Sequence, residues 1–132
     1  MTGENRRRNA ADEFERASLC LEEARMLARA GMPYGAASRA YYAVFHGARA
    51  LLFSVGIEPR SHRGIVALVG DHFVRQGRLS PEMGRLLSRM QRDREDADYL
   101  TGAVFTDAEA SEMLTDAERF LDQVKAAAFP DQ

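Results

Sequence analysis

The stretch from Ser38 to Phe53, S-R-A-Y-Y-A-V-F-H-G-A-R-A-L-L-F, decides the fold. Extended to the turn signals on either side, it predicts a helix over Tyr34–Val55, about 33 Å long at ~1.5 Å per residue. Tyr34, Ala37, Tyr41, Phe45, Ala48, Leu52 and Val55 recur at threes and fours and form one stripe. Arg39, Tyr42, His46, Arg49 and Phe53 form a second stripe beside it. A helix with two adjacent stripes touches neighbours on more than one side, so this is the central helix of a bundle.

Working outward, helical spacing continues through the chain. A first helix over Ala10–Ala30 carries Phe14, Ala17, Leu21, Ala24 and Ala28 on one face, and Gly31 stops it. A third runs from His62 to Gln76, capped by Ser61 and closed by Gly77, with Ile65, Leu68, Val69, His72 and Phe73 facing inward. Ser80 and Pro81 open a fourth helix, whose stripe is Met83, Leu86, Leu87 and Met90. Thr106 with Glu109 forms a capping box for a fifth, with Met113, Leu114, Ala117, Phe120, Leu121 and Val124 behind it. The four prolines all fall at boundaries, and neither an alternating strand nor a repeat is present. Short connections favour antiparallel neighbours. The expected fold is all-α, an up-and-down helical bundle of four long helices plus one shorter helix. It occupies a single domain over residues 1–132, with 1–9 and 128–132 as frayed tails.

Composition narrows the function. The 132 residues are 45% hydrophobic and 29% charged, with a net charge of -2. A protein that relies on general attraction to phosphate is more basic than this, so any nucleic-acid contact must come from a local patch. The Arg6–Arg8 triplet reads as a solvated arm, with contact to nucleic acid or a partner as the alternative. Cys20 is the single cysteine, so no internal disulfide can form, and it suits a reducing compartment. No apolar run approaches the ~18 residues of a membrane span, and no signal core follows the arginines. The expected localisation is cytoplasmic. The histidines lack metal-ligand spacing, and no glycine-rich phosphate loop or nucleophile elbow occurs, so no metal and no cofactor is expected.

The second informative stretch is R-D-R-E-D-A-D-Y, Arg92 to Tyr99. The stripe Met83–Leu86/Leu87–Met90 continues to Arg94 and Ala97, which aims Arg94 toward the buried side. Arg92–Asp96 and Arg94–Asp98 are both i,i+4 pairs, worth ~0.2–0.5 kcal/mol each if merely solvated. A guanidinium at the edge of an apolar stripe needs a partner or a wet cleft. An arginine with flanking carboxylates and a phenol can hold phosphate there.

These stretches, with the turn P-R-S-H-R-G at Pro59–Gly64, resemble the HEPN family over roughly Phe14–Leu121. The resemblance implies a small helical domain that dimerises and acts on or binds RNA. Family members carry Arg, four to six residues, then His, at the start of a late helix, and two copies form a cleft that cleaves RNA without metal. Some toxin members extend this to Arg-x4-His-x-Tyr, whose Tyr receives AMP from a partner nucleotidyltransferase. On that pattern Arg92 matches the Arg, Tyr99 the Tyr, and Ala97 the His position. With Arg94 as the Arg, Tyr99 fills the His position. Neither alignment supplies the histidine that proton transfer near neutral pH favours.

The resemblance therefore implies a toxin-type, RNA-targeting component paired with a minimal nucleotidyltransferase-like antitoxin, with an endoribonuclease site at a homodimer cleft. Arg94, Asp98 and Tyr99 are the catalytic candidates, and Tyr99 is also the candidate modification site. Arg92, Arg94 and Arg39 are the RNA- or phosphate-binding candidates. Tyr42, His46 and Phe53 are the interface candidates. Arg39 and His46 stand two turns apart, about 10 Å, which leaves them structural or lining the cleft of Arg94. His62 reads as a turn residue and His72 as a core histidine. The alternatives are a non-catalytic dimeric interaction or nucleotide-binding module, and a structural bundle whose charged run is only solvated.

Overall fold

The computed structural model describes residues 2–99 and 105–131, with the side chains of 96–99 outside that description. The described residues form helices α1 (Gly3–Arg29), α2 (Pro33–Ser54), α3 (His62–Val69, continued by a wider π turn over Gly70–Val74), α4 (Pro81–Tyr99) and α5 (Asp107–Ala128). No strand occurs among them. The all-α bundle of four long helices and one shorter one is what the apolar spacing predicts.

Paired side chains give the directions. Glu13 meets His46 and Arg49, while Glu23 meets Arg39, so α1 and α2 run antiparallel. Glu82 meets Arg119 and Arg89 meets Asp116, so α4 and α5 do too. α2 contacts α1, α3, α4 and α5, the central position its two stripes require. Its buried stripe includes Ala37, Tyr41, Ala48 and Leu52, and Ala40, Val44 and Leu51 extend it. Tyr34, expected on that stripe, is exposed at the first turn beside Phe105.

Helix ends follow the local chemistry. Thr106 Oγ1 accepts from Glu109 N at 3.1 Å and Glu109 Oε1 accepts from Thr106 N at 3.2 Å, completing the capping box. Ser61 Oγ caps α3 through Gly64 N at 3.0 Å, and Ser80 Oγ caps α4 through Met83 N at 3.2 Å. Gly31, Gly56 and Gly77 end α1, α2 and the π turn at φ of 72°, 80° and 72°, a conformation that costs other residues.

Two further expectations change. Residues 3–9, expected as a tail, belong to α1: Thr2 caps the helix through Asn5 N at 3.2 Å, and Glu4 pairs with Arg8 at 3.5 Å. Arg6 packs over Gly56 at the C-terminal end of α2, where a cation complements the helix dipole. At the other end Phe129 meets Phe14 with ring centroids 5.5 Å apart. The second change is His72, expected in the core and exposed in the structure. Arg75 N bonds Gly70 O at 2.9 Å across the wider i→i+5 turn. That turn brings Phe73 back into line with Ile65 and Val69, all buried, and swings His72 to the solvent side.

Candidate nucleic-acid interface

α2 is pinned by Ala, Val and Leu against α1 and α5, which leaves its second stripe half-buried at the surface. Helical spacing puts Arg39, Tyr42, His46 and Arg49 along that stripe. α4 then crosses near its first half and delivers Arg94. The Arg94 guanidinium donates to Ser38 Oγ at 3.4 Å and to Tyr42 Oη at 3.3 Å, and its Cζ lies 5.3 Å from the Tyr42 ring centroid. Arg39 places its Cζ 4.9 Å from the same ring. One phenol ring thus has two guanidiniums within cation–π range.

Around this cluster the face stays polar and aromatic. A groove of about 350 Å³ runs between α1 and α2, bordered by Arg16, Cys20, Glu23, Arg39, Tyr42 and His46. Glu23 stands 4.0 Å from Arg39, a loose pair that leaves the guanidinium able to meet an anion. Phe45 lies between Tyr42 and the exposed His62, with ring centroids 6.3 Å and 4.3 Å away respectively. Further along α2, Arg49 covers Phe53 at 5.1 Å.

Beneath the face lies an ionic link between α1 and α2. Glu13 Oε2 meets His46 Nδ1 at 2.8 Å, and Arg49 Nε donates to Glu13 Oε1 at 3.1 Å. Burial alone would push the Glu13 carboxyl up. The hydrogen bonds and charges of His46 and Arg49 outweigh it and hold the carboxyl below the ordinary carboxylate value. Cys20 shows the opposite balance: burial pushes its thiol up, against the lowering charge of Arg39.

The expected site residues separate into groups. Arg94 and Arg39 come together around Tyr42, with His46 one turn on. Arg92 does not join them; it is exposed and lines a different groove, beside Arg63, Gln91 and Glu95. Phe53, expected at an interface, is 6% exposed and covered within the chain by Arg49. The side chains of Asp98 and Tyr99 lie outside the described residues. Glu13 does not stand out from the sequence as a site residue. Its spacing from Ala10, Ala17, Cys20 and Ala24, all buried, is the available signal: a carboxylate at threes and fours on an apolar stripe. Among the described residues no group of three His, Cys, Asp or Glu side chains could hold a metal ion, and no helix is long and apolar enough to cross a membrane.

The comparisons agree with this architecture. The family profile described as HEPN domain matches residues 10–127. The chain is similar to "Putative toxin MJ0605" of Methanocaldococcus jannaschii, 38% identical over 92 residues that cover 70% of this chain and 68% of that protein. It is 32% identical over 110 residues to a "UPF0332 protein" of Thermotoga maritima, covering 83% of each. A second M. jannaschii protein, "Putative toxin MJ0142", is 28% identical over 112 residues, covering 85% of this chain and 76% of that one. With four long helices, a central aromatic helix and a profile match across most of its length, the chain belongs to the HEPN domain family.

Proposed function

We propose that this protein is a toxin-type HEPN component that targets RNA as a homodimer and is held in check by a minimal nucleotidyltransferase-like antitoxin. One observation carries the RNA part: Arg39 and Arg94 both lie over Tyr42, beside the Ser38 hydroxyl. Guanidinium groups match phosphate oxygens, and a guanidinium plane held against a ring can itself stack on a base. The local placement suits a protein whose net charge of -2 gives no general attraction to RNA. The names of the two M. jannaschii relatives support the toxin-type reading. Half-buried Tyr42 and His46 can lie against a second copy, which would bring two clusters into one cleft. The antitoxin part rests on the Arg92-to-Tyr99 pattern, with Tyr99 as the hydroxyl that receives AMP and Asp98 beside it.

Fluorescence anisotropy with a labelled single-stranded RNA tests the RNA part. Arg39→Ala and Arg94→Ala are each expected to weaken binding about tenfold to a hundredfold, since a charge-assisted contact is worth ~1.5–3 kcal/mol. Failure of the natural protein to bind RNA would sink it. Incubation with a minimal nucleotidyltransferase and ATP, read by intact mass, tests the antitoxin part: addition of AMP lost in Tyr99→Phe is expected.

The missing helix-four histidine favours a second reading, a dimeric docking or nucleotide-binding module that cleaves nothing itself. RNA left intact by a folded, RNA-binding protein would favour it.

A further inference from the structure

The RNA reading leaves the ionic link at the groove unused. Glu13 engages both carboxylate oxygens, one with His46 and one with Arg49, which fixes the plane of the carboxylate and with it the imidazole ring. His46 and Glu13 are 15% and 18% exposed, so the pair is sheltered but reachable. In the neutral ring a carboxylate against Nδ1 places the proton there and leaves a lone pair on Nε2, the arrangement that orients a general base. Among the described residues nothing bonds Nε2, and no unpartnered side-chain nitrogen or oxygen is sealed from solvent. The ring borders the α1–α2 groove with Arg39 and Tyr42. Arg39 and His46 border this groove about 10 Å apart along α2, a spacing that lets one RNA strand meet both.

We propose that His46, oriented by Glu13, is the proton-transfer group of an RNA-cleaving site in this groove, with the RNA phosphate held by Arg39. The proposal rests on the RNA reading above and adds the chemistry that a helix-four histidine does not supply. His46 Nε2 takes the proton of a ribose 2′-hydroxyl. The 2′-oxygen bonds to the adjacent phosphorus as the bond from phosphorus to the 5′-oxygen breaks. The departing 5′-oxygen takes a proton from water, and the imidazolium returns its proton to the hydroxide so formed. The products are a 2′,3′-cyclic phosphate and a 5′-hydroxyl. Glu13 is a positioning residue, since it acts only through the ring.

The test uses the full chain, a 5′-labelled single-stranded RNA of mixed sequence, and the same strand with 2′-methoxy groups as an uncleavable binding probe. Expected are cyclic-phosphate ends with the natural protein, a rate loss of about a hundredfold or more in His46→Gln, and binding of the methoxy strand by both proteins. Binding without cleavage, or cleavage untouched by His46→Gln, overturns the proposal and leaves the RNA reading standing. No binding by the natural protein overturns both. If His46→Gln does not fold, Glu13→Gln carries the test through the pH–rate profile: a displaced acid limb supports the proposal, and an unmoved limb overturns it, because a merely structural carboxylate has no effect there.

Discussion

Glu13 and His46, 33 residues apart in the chain, meet at 2.8 Å across the α1–α2 seam, and the Glu13 carboxylate, which also accepts from Arg49, ties the two helices together beside the candidate RNA groove. The carboxyl is held below its ordinary value of 4.5, although burial works against this. A depressed carboxyl stabilises the folded chain fully above the unfolded value, and that contribution fades as pH falls through the folded one. Urea unfolding of the natural protein should therefore lose stability on acidification below about pH 5 more steeply than Glu13→Gln does. At pH 7 the variant should be less stable by about 1–2 kcal/mol, the scale of a charged hydrogen bond. Parallel stability–pH curves for the two proteins would show that the link contributes nothing.

Much of this architecture is legible in the residues, and the exceptions have physical causes. Thr106 and Glu109 mark the start of α5 because a capping box is local chemistry, complete within four residues. The two stripes of α2 mark it as central because burial on two sides needs apolar residues on two sides. The start of α1 is not legible this way. Three consecutive arginines carry no apolar period, and the helix there depends on the Thr2 cap and on Arg6 lying over Gly56. His72 escapes because a π turn changes the period mid-helix without an obvious residue signal. Arg94 is legible as a guanidinium at the edge of a stripe, but its partners Ser38 and Tyr42 belong to another helix. Glu13 and His46 are invisible as a pair for the same reason, since only tertiary approach joins them.

If Arg39 and Arg94 each neutralise an RNA phosphate, the salt dependence of binding should register it. The slope of log K against log salt should fall by about 0.7 for each arginine removed. Arg39→Ala and Arg94→Ala are expected to do this, and the double variant to lose about twice as much. Arg92→Ala should change the slope less, because Arg92 lines the α3–α4 side rather than the Tyr42 cluster. Slopes equal to that of the natural protein in all four variants would place RNA elsewhere on the molecule.

Cys20 borders the groove yet is only 5% exposed. Burial pushes its thiol up despite the nearby Arg39, so little of the reactive thiolate forms near neutral pH. A disulfide reagent such as dithionitrobenzoate at pH 7.5 (a condition of roughly neutral pH, where thiolate is the reacting form) should label the native chain slowly and the urea-unfolded chain at once. Equally fast labelling of both would mean that the groove opens to Cys20 in solution.

α2 packs closely on α5 at Gly47, where an added Cβ would lie 2.6 Å from Leu121 Cδ2 and 3.3 Å from Phe120 Cε1. Both neighbours are buried, Phe120 completely, so neither can move aside freely. Gly47→Val is expected to destabilise the chain by about 1–3 kcal/mol, the usual cost of overpacking a core, with the stiff β-branched side chain cancelling any gain in helix propensity. Gly70 is the counterpart: it sits in a right-handed helical conformation, φ -57° and ψ -49°, and an added Cβ meets nothing within 4 Å. Gly70→Ala should therefore stabilise by about 0.4–1 kcal/mol, because alanine restricts the unfolded chain without strain in the folded one. Urea midpoints measured side by side decide the matter: opposite shifts are expected, and a Gly47→Val midpoint equal to that of the natural protein would mean that α2 and α5 stand further apart than these distances require.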